Sequence, residues 1–446
     1  MTGLFSHLPA YSVREGDFYM EIYVVKSGDT LFAVAERYGV DAAVLAQNNG
    51  VTDPERLVPG QTLVILYPAR THTVRAGETL TGVARQFGVP VDQLLRNNPV
   101  LEGLPAIFPD QVLVIDYVGE KRGEMAVNGY VYPYVQEDVL RRTLPYLTYL
   151  TVFTYGFRAD GTLIPPDGDA RVTALAVEYG VAPLLLLSTL DETGRFSNAR
   201  STALLSDRGL WGTLADNLIA AMREKGYEGL DIDFEYVQPA EREDYAAFIG
   251  EMTARMAAAG YFVSVSLAPK VADDQPGLLY EAHDYAALGA AADAVLLMTY
   301  EWGYTYGPAM AVAPLDKVKR VLDYAVTRID PRKIFMGVPN YGYDFALPYV
   351  AGESKARSLS NAAAVELAAE VRADIDFDPR AQAPFFNYKA DGVTHEVWFE
   401  DARSIEGKLS QVPAYGFRGV SYWNLMRWFP QNWLVLNALY RIARVG

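Results

Sequence analysis

The front of the chain repeats itself. Val25-Lys26-Ser27-Gly28-Asp29-Thr30-Leu31 recurs as Val74-Arg75-Ala76-Gly77-Glu78-Thr79-Leu80. Asn48-Asn49 recurs as Asn97-Asn98, and Gln61-Thr62-Leu63-Val64-Ile65 as Gln111-Val112-Leu113-Val114-Ile115. The offset is 49 residues early and 50 late, so the second copy carries one inserted residue. Self-similarity of this kind means one small structural unit used twice. Each copy reads strand, helix, helix, strand. Residues 22–25 form a β-branched and aromatic run. Asp29 and Thr30 offer an N-cap. Leu31, Val34, Ala35 and Tyr38 share one helical face, and Gly39 ends the helix. Leu80, Val83, Ala84, Phe87 and Gly88 repeat the pattern. The second helix of each copy ends at the Asn pair, and Pro59-Gly60 turns the first copy into its last strand. The apolar positions are core. The Gly-Asp/Glu-Thr-Leu loop and the segment after the Asn pair remain as the lips of a surface groove.

A chain of 446 residues holds more than these units, and its length suggests two to four domains. A formal charge of −16 disfavours nucleic acid and anionic membrane surfaces, and is compatible with a neutral glycan. There is no cysteine, so disulfides and thiolate-bound metals are excluded. His7, His72, His283 and His395 lie far apart and form no metal-binding pair, so neither a metal nor a cofactor is expected. No apolar run is long enough to span a membrane. Residues 1–17 lack a basic region followed by an apolar run, and 1–19 read as an N-terminal extension without a recognisable signal peptide.

From about Gly123 the period changes. Short β-branched or aromatic runs alternate with amphipathic helices, the pattern of a parallel α/β fold. Eight candidate strands cover 126–131, 149–154, 182–187, 229–234, 262–267, 294–299, 333–339 and 419–422. One intervening helix covers 210–225, with Leu214, Leu218 and Met222 on one face. Eight β/α units in about 320 residues fit a TIM barrel. A doubly wound open sheet is the alternative. The long interval 343–415 reads as a small α+β insertion between strands seven and eight, with a helix at 361–372 and a hairpin at 384–399 turning on Asp391-Gly392. The expected organisation is therefore an extension at 1–19, repeat units at 20–67 and 70–118 joined by a short linker at 67–71, and a barrel at 123–446.

The chemistry concentrates on strand four, Tyr227-Glu228-Gly229-Leu230-Asp231-Ile232-Asp233-Phe234-Glu235-Tyr236. Strand residues alternate faces. Leu230, Ile232 and Phe234 point toward the covering helices, so Asp231, Asp233 and Glu235 all point into the barrel. Three carboxylates on a buried face are costly unless paired or used, and the run contains no Lys or Arg. Asp231 lies deepest and Glu235 at the C-terminal rim, where barrel active sites lie. Mutual repulsion favours holding Glu235 protonated as a general acid.

This segment resembles the DGxDxDxE signature of glycoside hydrolase family 18. Met298-Thr299-Tyr300-Glu301 resembles that family's MxYD element, Gly337-Val338-Pro339-Asn340-Tyr341-Gly342 its GxPxYG element, and Trp423 its strand-eight tryptophan. The repeats, over 22–66 and 72–117, resemble LysM modules. The resemblance implies a TIM barrel preceded by two βααβ modules that bind N-acetylglucosamine-containing glycans such as peptidoglycan or chitin, with avidity from two tethered sites. It implies catalytic roles for Glu235, Asp233, Asp231 and Tyr300, and substrate contacts for Trp423, Glu301, Met298, Asn340 and Tyr341. For Glu301, pairing with a nearby arginine stays open. Three departures stand out. Glu228 and Glu301 replace family aspartates, and the SxGG element of strand three is replaced by Leu187-Ser188-Thr189-Leu190.

These departures, with the chain end Val397-Trp398-Phe399-Glu400-Asp401 and Ser421-Tyr422-Trp423-Asn424, are similar to the spore-germination, cortex-lytic branch of the family. That branch implies a retaining, substrate-assisted N-acetylglucosaminidase located at spore coat, cortex or cell wall. A LysM-targeted chitinase and a catalytically silent glycan-binding coat protein are the alternatives.

Overall fold

The computed structural model describes residues 20–191 and 193–445, so the extension at 1–19 lies outside the described residues. Eight parallel strands close into a barrel: β1 (Gly123–Val131), β2 (Tyr149–Phe157), β3 (Ala182–Ser188), β4 (Gly229–Asp233), β5 (Phe262–Leu267), β6 (Ala294–Leu297), β7 (Ile334–Pro339) and β8 (Gly419–Trp423). Neighbours in sequence pair in space, and β8 returns to β1 with Gly419 opposite Ala126. The open-sheet alternative is excluded by that closure. The eight strands lie within about three residues of their expected positions. The largest differences are at β1, which starts at Gly123 rather than 126, and at β2, which runs on to Phe157 rather than 154.

Alternation explains how the strands are filled. The inward residues Tyr130, Leu184, Leu186, Leu296 and Phe335 form one buried cluster inside the barrel. The outward residues of β4, Leu230 and Ile232, together with Phe234 beyond its end, are fully buried under the helix Arg242–Ala258. Phe234 stacks on Tyr245 and Phe248 of that helix at centroid distances of 5.8 Å each. At the N-terminal end the Arg418 guanidinium lies over the rings of Tyr149, Phe262 and Phe335, 5.0 to 5.9 Å from their centroids, and closes the barrel floor.

The insertion after β7 is a five-stranded antiparallel sheet with the helix Asn361–Val371 packed on it. Its central hairpin joins Ala383–Ala390 to Val393–Trp398 through Asp391 and Gly392, both at positive φ, as the Asp-Gly pair demands. The insertion ends at Trp398, short of the expected 415. Ala402, Ile405 and Leu409 of the next helix join the main barrel core instead.

Each repeat forms the expected strand–helix–helix–strand unit. Thr30 and Thr79, not the acidic residues before them, cap the first helices through Ala33 N and Gly82 N. Gly39 and Gly88 end them at φ 66° and 68°. The acidic residues instead close the preceding loops, where Asp29 accepts from Lys26 N and Glu78 from Arg75 N. The expected linker at 67–71 is mostly strand. Pro68–Thr73 pairs with Val112–Tyr117, so only Tyr67 separates the two units' strands, and a bulge around Arg70 absorbs the proline.

Both units dock on the barrel. Gln431, on the barrel's last long helix, exchanges two bonds with Thr62, at 2.8 and 2.5 Å. Asn437 of the same helix donates to Asn97 at 2.8 Å, and Arg96 donates to the Pro145 carbonyl at 2.9 Å. Gly60 (φ 87°) lies so close to the insertion that a Cβ there would sit 1.8 Å from the Ile375 carbonyl oxygen. Gly77 has the same φ and open space around it. Gly77→Ala should therefore lose only the backbone term of about 1–2 kcal/mol. Gly60→Ala should lose more and also release the first unit from the insertion. Thermal unfolding with limited proteolysis at 50–60 checks both. Equal behaviour of the two variants would show that the Gly60 contact carries no weight.

Candidate active site

The carboxylates of β4 meet the environment that their alternation predicts. Asp231 is 1% exposed and is held by two hydroxyls from neighbouring inner-face positions. Tyr130 Oη and Ser264 Oγ each donate to it at 2.6 Å. Ser264 is its register partner on β5. Burial raises the Asp231 carboxyl above its ordinary range, and the two hydroxyl bonds oppose that rise. Asp233 stands one step nearer the rim. Its Oδ1 is buried with no partner. Burial first, then the charges of Glu235 and Asp231, push Asp233 well above the carboxylate range. Glu235 follows the end of the strand. Burial and the Glu301 carboxylate raise it. No ion pair to these three carboxylates occurs among the described residues, so the two hydroxyl bonds to Asp231 and protonation are what oppose their mutual repulsion.

Tyr300 and Glu301 reach the same space from β6. The chain leaves the sheet at Leu297 through two tight turns, with Thr299 N bonded to Leu297 O and Tyr300 N to Met298 O. Glu301 then adopts φ 65°, a left-handed conformation that a non-glycine residue holds only when its surroundings impose it. Tyr341 Oη donates to Glu301 Oε1, and Tyr343 Oη does so at 3.2 Å. The arginine partner that the sequence left open is replaced by two tyrosines. Gly337 makes room for Tyr300, because a Cβ there would sit 2.7 Å from the Tyr300 ring. Tyr300 feels the charges of Asp233, Glu235 and Glu301, and burial among them lifts its hydroxyl well above the ordinary tyrosine value.

Trp423 ends β8 among Tyr130, Tyr132 and Phe153, at centroid distances of 5.5, 6.2 and 5.2 Å. Beside it opens a cleft of 310 Å³, walled by Tyr132, Glu301, Asn340, Tyr341 and Trp423 among others. Met298 packs inside the barrel next to Trp423. Asn340 is committed mainly to architecture. Its Nδ2 donates to the carbonyls of Asn424 and Arg427 at 2.9 Å each, and this fixes the loop that follows Trp423.

One of the departures falls away from the centre of the site. Glu228 is exposed at the start of β4, seven residues and ~23 Å of strand from Glu235. Ser188 ends β3 as the register partner of Asp233, so this departure lies beside the carboxylates, and its Oγ accepts from Thr154 at 2.9 Å. Among the described residues no cluster of three or more His, Cys, Asp or Glu is arranged to hold a metal ion.

Sequence reasoning missed three supports. Tyr130 and Ser264 lie on other strands and become neighbours of Asp231 only on closure. His283 is fully buried behind the rim. Its Nδ1 accepts from Ala268 N at 2.9 Å, so its Nε2 carries the proton and donates to the Phe234 carbonyl at 3.1 Å. Burial lowers its pKa to about 4, so it stays neutral while it anchors the residue before Glu235. Only the inward alternation of Tyr130 and Ser264 hinted at this, and nothing local marked His283.

The family model for glycosyl hydrolases family 18 matches residues 131–427, and the LysM domain model matches 23–66 and 72–116. The chain belongs to glycosyl hydrolases family 18 and is a glycosidase carrying two LysM domains. It is similar to the cortical fragment-lytic enzyme of Bacillus subtilis (strain 168), with 41% identity over 95% of this chain and 99% of the relative. The enzyme of that name from Bacillus anthracis is 38% identical over 96% of this chain and 100% of its own length. Among solved structures, the spore cortex-lytic enzyme SleL of Bacillus megaterium QM B1551 superposes with a TM-score of 0.81 at 36% identity, covering 96% of this chain and all of that one. The chitinase of Chromobacterium violaceum ATCC 12472 gives a TM-score of 0.64 at 27% identity over 70% of this chain.

The raised Asp233 carboxyl makes a stability prediction. A carboxyl whose folded pKa lies above its unfolded value binds the extra proton only when folded. Its unfavourable contribution is absent at low pH, grows as pH rises through the folded value, and is full above it. Asp233→Asn should therefore raise the melting temperature at pH ~8 by ~2 °C or more, and the gain should shrink toward pH ~4.5. Calorimetry across that range checks it. A variant less stable than wild type at pH ~8 would mean that the Asp233 charge is compensated.

Proposed function

We propose that this glycosidase cleaves the β-1,4 bond that follows N-acetylglucosamine in spore-cortex peptidoglycan, by a retaining, substrate-assisted route. The observation that carries the proposal is the inward carboxylate series Asp231, Asp233, Glu235. Desolvation favours the protonated form at each of the three, and the charge of the outermost member reaches Tyr300. Similarity to cortex-lytic relatives over both LysM units and the barrel favours cortex. The chitinase likeness covers a smaller share of the chain.

Glu235 gives its proton to the glycosidic oxygen as the bond to the anomeric carbon breaks. The substrate's own N-acetyl carbonyl oxygen bonds to that carbon from the other face, forming an oxazolinium ion. Asp233 takes a hydrogen bond from the acetamido N–H and balances its growing positive charge, with Asp231 behind it. Tyr300 donates to the acetamido oxygen, and Trp423 floors the sugar. Glu301, Met298 and Tyr341 line the same subsite, and Asn340 holds its floor in place. Water then attacks the anomeric carbon and gives a proton to the Glu235 carboxylate, which restores the acid with configuration retained. An internal nucleophile replaces the second carboxylate of ordinary glycosidases and removes several kcal/mol of entropic barrier.

The mechanism selects the sugar. The residue cleaved at its anomeric carbon must carry a free N-acetyl group. Muramic δ-lactam of cortex has its nitrogen closed in a ring and offers no such group. N-acetylglucosamine then occupies the cleaving subsite and ends up at the new reducing end. Mass spectrometry of cortex fragments treated with wild type and Glu235→Gln checks this. New fragments with reducing-end N-acetylglucosamine are expected from wild type, at a rate ~10²–10⁴-fold above the variant. Cleavage on the muramic side, or equal cleavage by both proteins, would sink the reading.

A second prediction concerns pH. The Glu301 charge disfavours ionised Glu235. Glu301→Gln should lower the Glu235 pKa, so the acid form is lost sooner and the alkaline limb of kcat/KM moves to lower pH. A limb that stays put or moves up would show that Glu301 is uncharged in the working enzyme.

A further inference from the structure

The two LysM units are alike in sequence and unlike in surroundings. In the first unit the segment after the Asn pair faces the barrel's insertion. Val58 is 5% exposed and packs in one cluster with Leu359, Ala364, Ile375 and Phe399. The Pro59 carbonyl accepts from Ile375 N at 2.8 Å, and the Gly60 carbonyl from Arg403 at 3.2 Å. Gly50, just past the Asn pair, lies where a Cβ would meet Pro430 at 2.7 Å. The space left at this seam is 220 Å³, walled by Asp53 and Arg56 on one side and Glu366 and Glu370 on the other. That is below the ~300–1,000 Å³ of ordinary ligand clefts.

The matching turn of the second unit, 108–110, is open. Phe108 stands where Val58 stands, and it is 67% exposed. Val100 and Leu104 nearby are also exposed. Asp110 occupies the left-handed position of Gly60, at φ 68°, with its side chain in solvent, so this turn needs no glycine where nothing presses on it. Asp110 N bonds to Val74 O at 2.9 Å, which ties the segment to the Gly77-Glu78-Thr79 loop. The second unit docks through a different part of itself. Arg96 and Asn97 meet the barrel, and the Gly103 carbonyl accepts from Tyr179 at 2.7 Å.

We propose that the two units have divided their work. The second binds an N-acetylglucosamine-containing glycan strand on the face around Phe108, and the first has given up that role to brace the insertion against the barrel. The proposal rests on the glycan reading above and adds which unit makes the contact. An exposed aromatic ring offers the apolar face of a pyranose a flat partner. Phe32, 61% exposed on the first unit, is the competing candidate and supplies the control.

The test is a binding assay on the full chain, in the Glu235→Gln background so that the polymer stays intact. Phe108→Ala and Phe32→Ala are compared by co-sedimentation with insoluble cortex peptidoglycan and, separately, with chitin. Both positions are exposed, and unchanged melting temperatures verify folding. Phe108→Ala should weaken binding about five- to tenfold on whichever polymer is bound, with Phe32→Ala within about twofold of the parent. Full binding by Phe108→Ala, an equal or larger loss with Phe32→Ala, or no binding by the parent would each overturn the division of work. Those results leave the cleavage reading to its own assay of wild type on cortex fragments.

Discussion

Closure of the barrel is the constraint on which the rest depends. Once β8 pairs with β1, the inner faces of all eight strands are shut away from water. An inward side chain must then fill space or enter a hydrogen-bonded network. Most do the former. Strand four does the latter at Asp231 and carries two further carboxylates toward the rim, and these acquire their chemistry from that position. Asp231 can be tolerated because Tyr130 and Ser264 turn hydroxyls toward it. Asp233 has no such relief for one oxygen, and Glu235 feels the charge of Glu301. The fold thus converts a two-residue periodicity into a row of carboxyls that burial holds toward their protonated forms.

The opposite wall is built by strain of a definite kind. Strand six is short, and the turns after Leu297 deliver Glu301 in a left-handed conformation, with Tyr341 and Tyr343 closing on its carboxylate. A glutamate in place of the family's aspartate reaches farther, and the two tyrosines meet that extra reach. This is a coherent local solution and not a decayed motif. It fits a glycosidase better than a silent binding protein. The Glu228 change has even less bearing on the chemistry, because it lies in solvent at the far end of the same strand.

Much of this was legible in the sequence. The repeats, the eight strand runs, the hairpin turn at Asp391-Gly392 and the inward alternation of Asp231, Asp233 and Glu235 are local patterns, each carried by a few contiguous residues. What escaped was non-local. Tyr130 and Ser264 reach Asp231 across 101 and 33 residues. His283 reaches Phe234 across 49. Helices Ala402–Leu409 and Gln411–Tyr415 fall inside the interval 343–415 by chain order and yet pack into the main core. The linker at 67–71 was misread for a different reason. Pro68-Ala69-Arg70-Thr71 lacks alternation, and a bulge lets it pair regardless.

The docking of the repeats changes how the whole chain should be understood. A tethered pair of modules would raise local concentration through a flexible linker, and its benefit would depend on linker length. Here Tyr67 alone separates the two units' strands, and both units share hydrogen bonds with one barrel helix, through Gln431 and Asn437. Polymer contact and catalytic cleft are then held at a fixed separation. A rigid second contact restricts the registers in which a repeating strand can enter the cleft, whereas a loose tether accepts them all. On an alternating polymer with a single permissible sugar at the cleaving subsite, such restriction is itself a form of specificity. It also explains why the first unit can lose its groove without becoming dispensable: burying Val58 and Gly60 against the insertion is what makes the arrangement rigid.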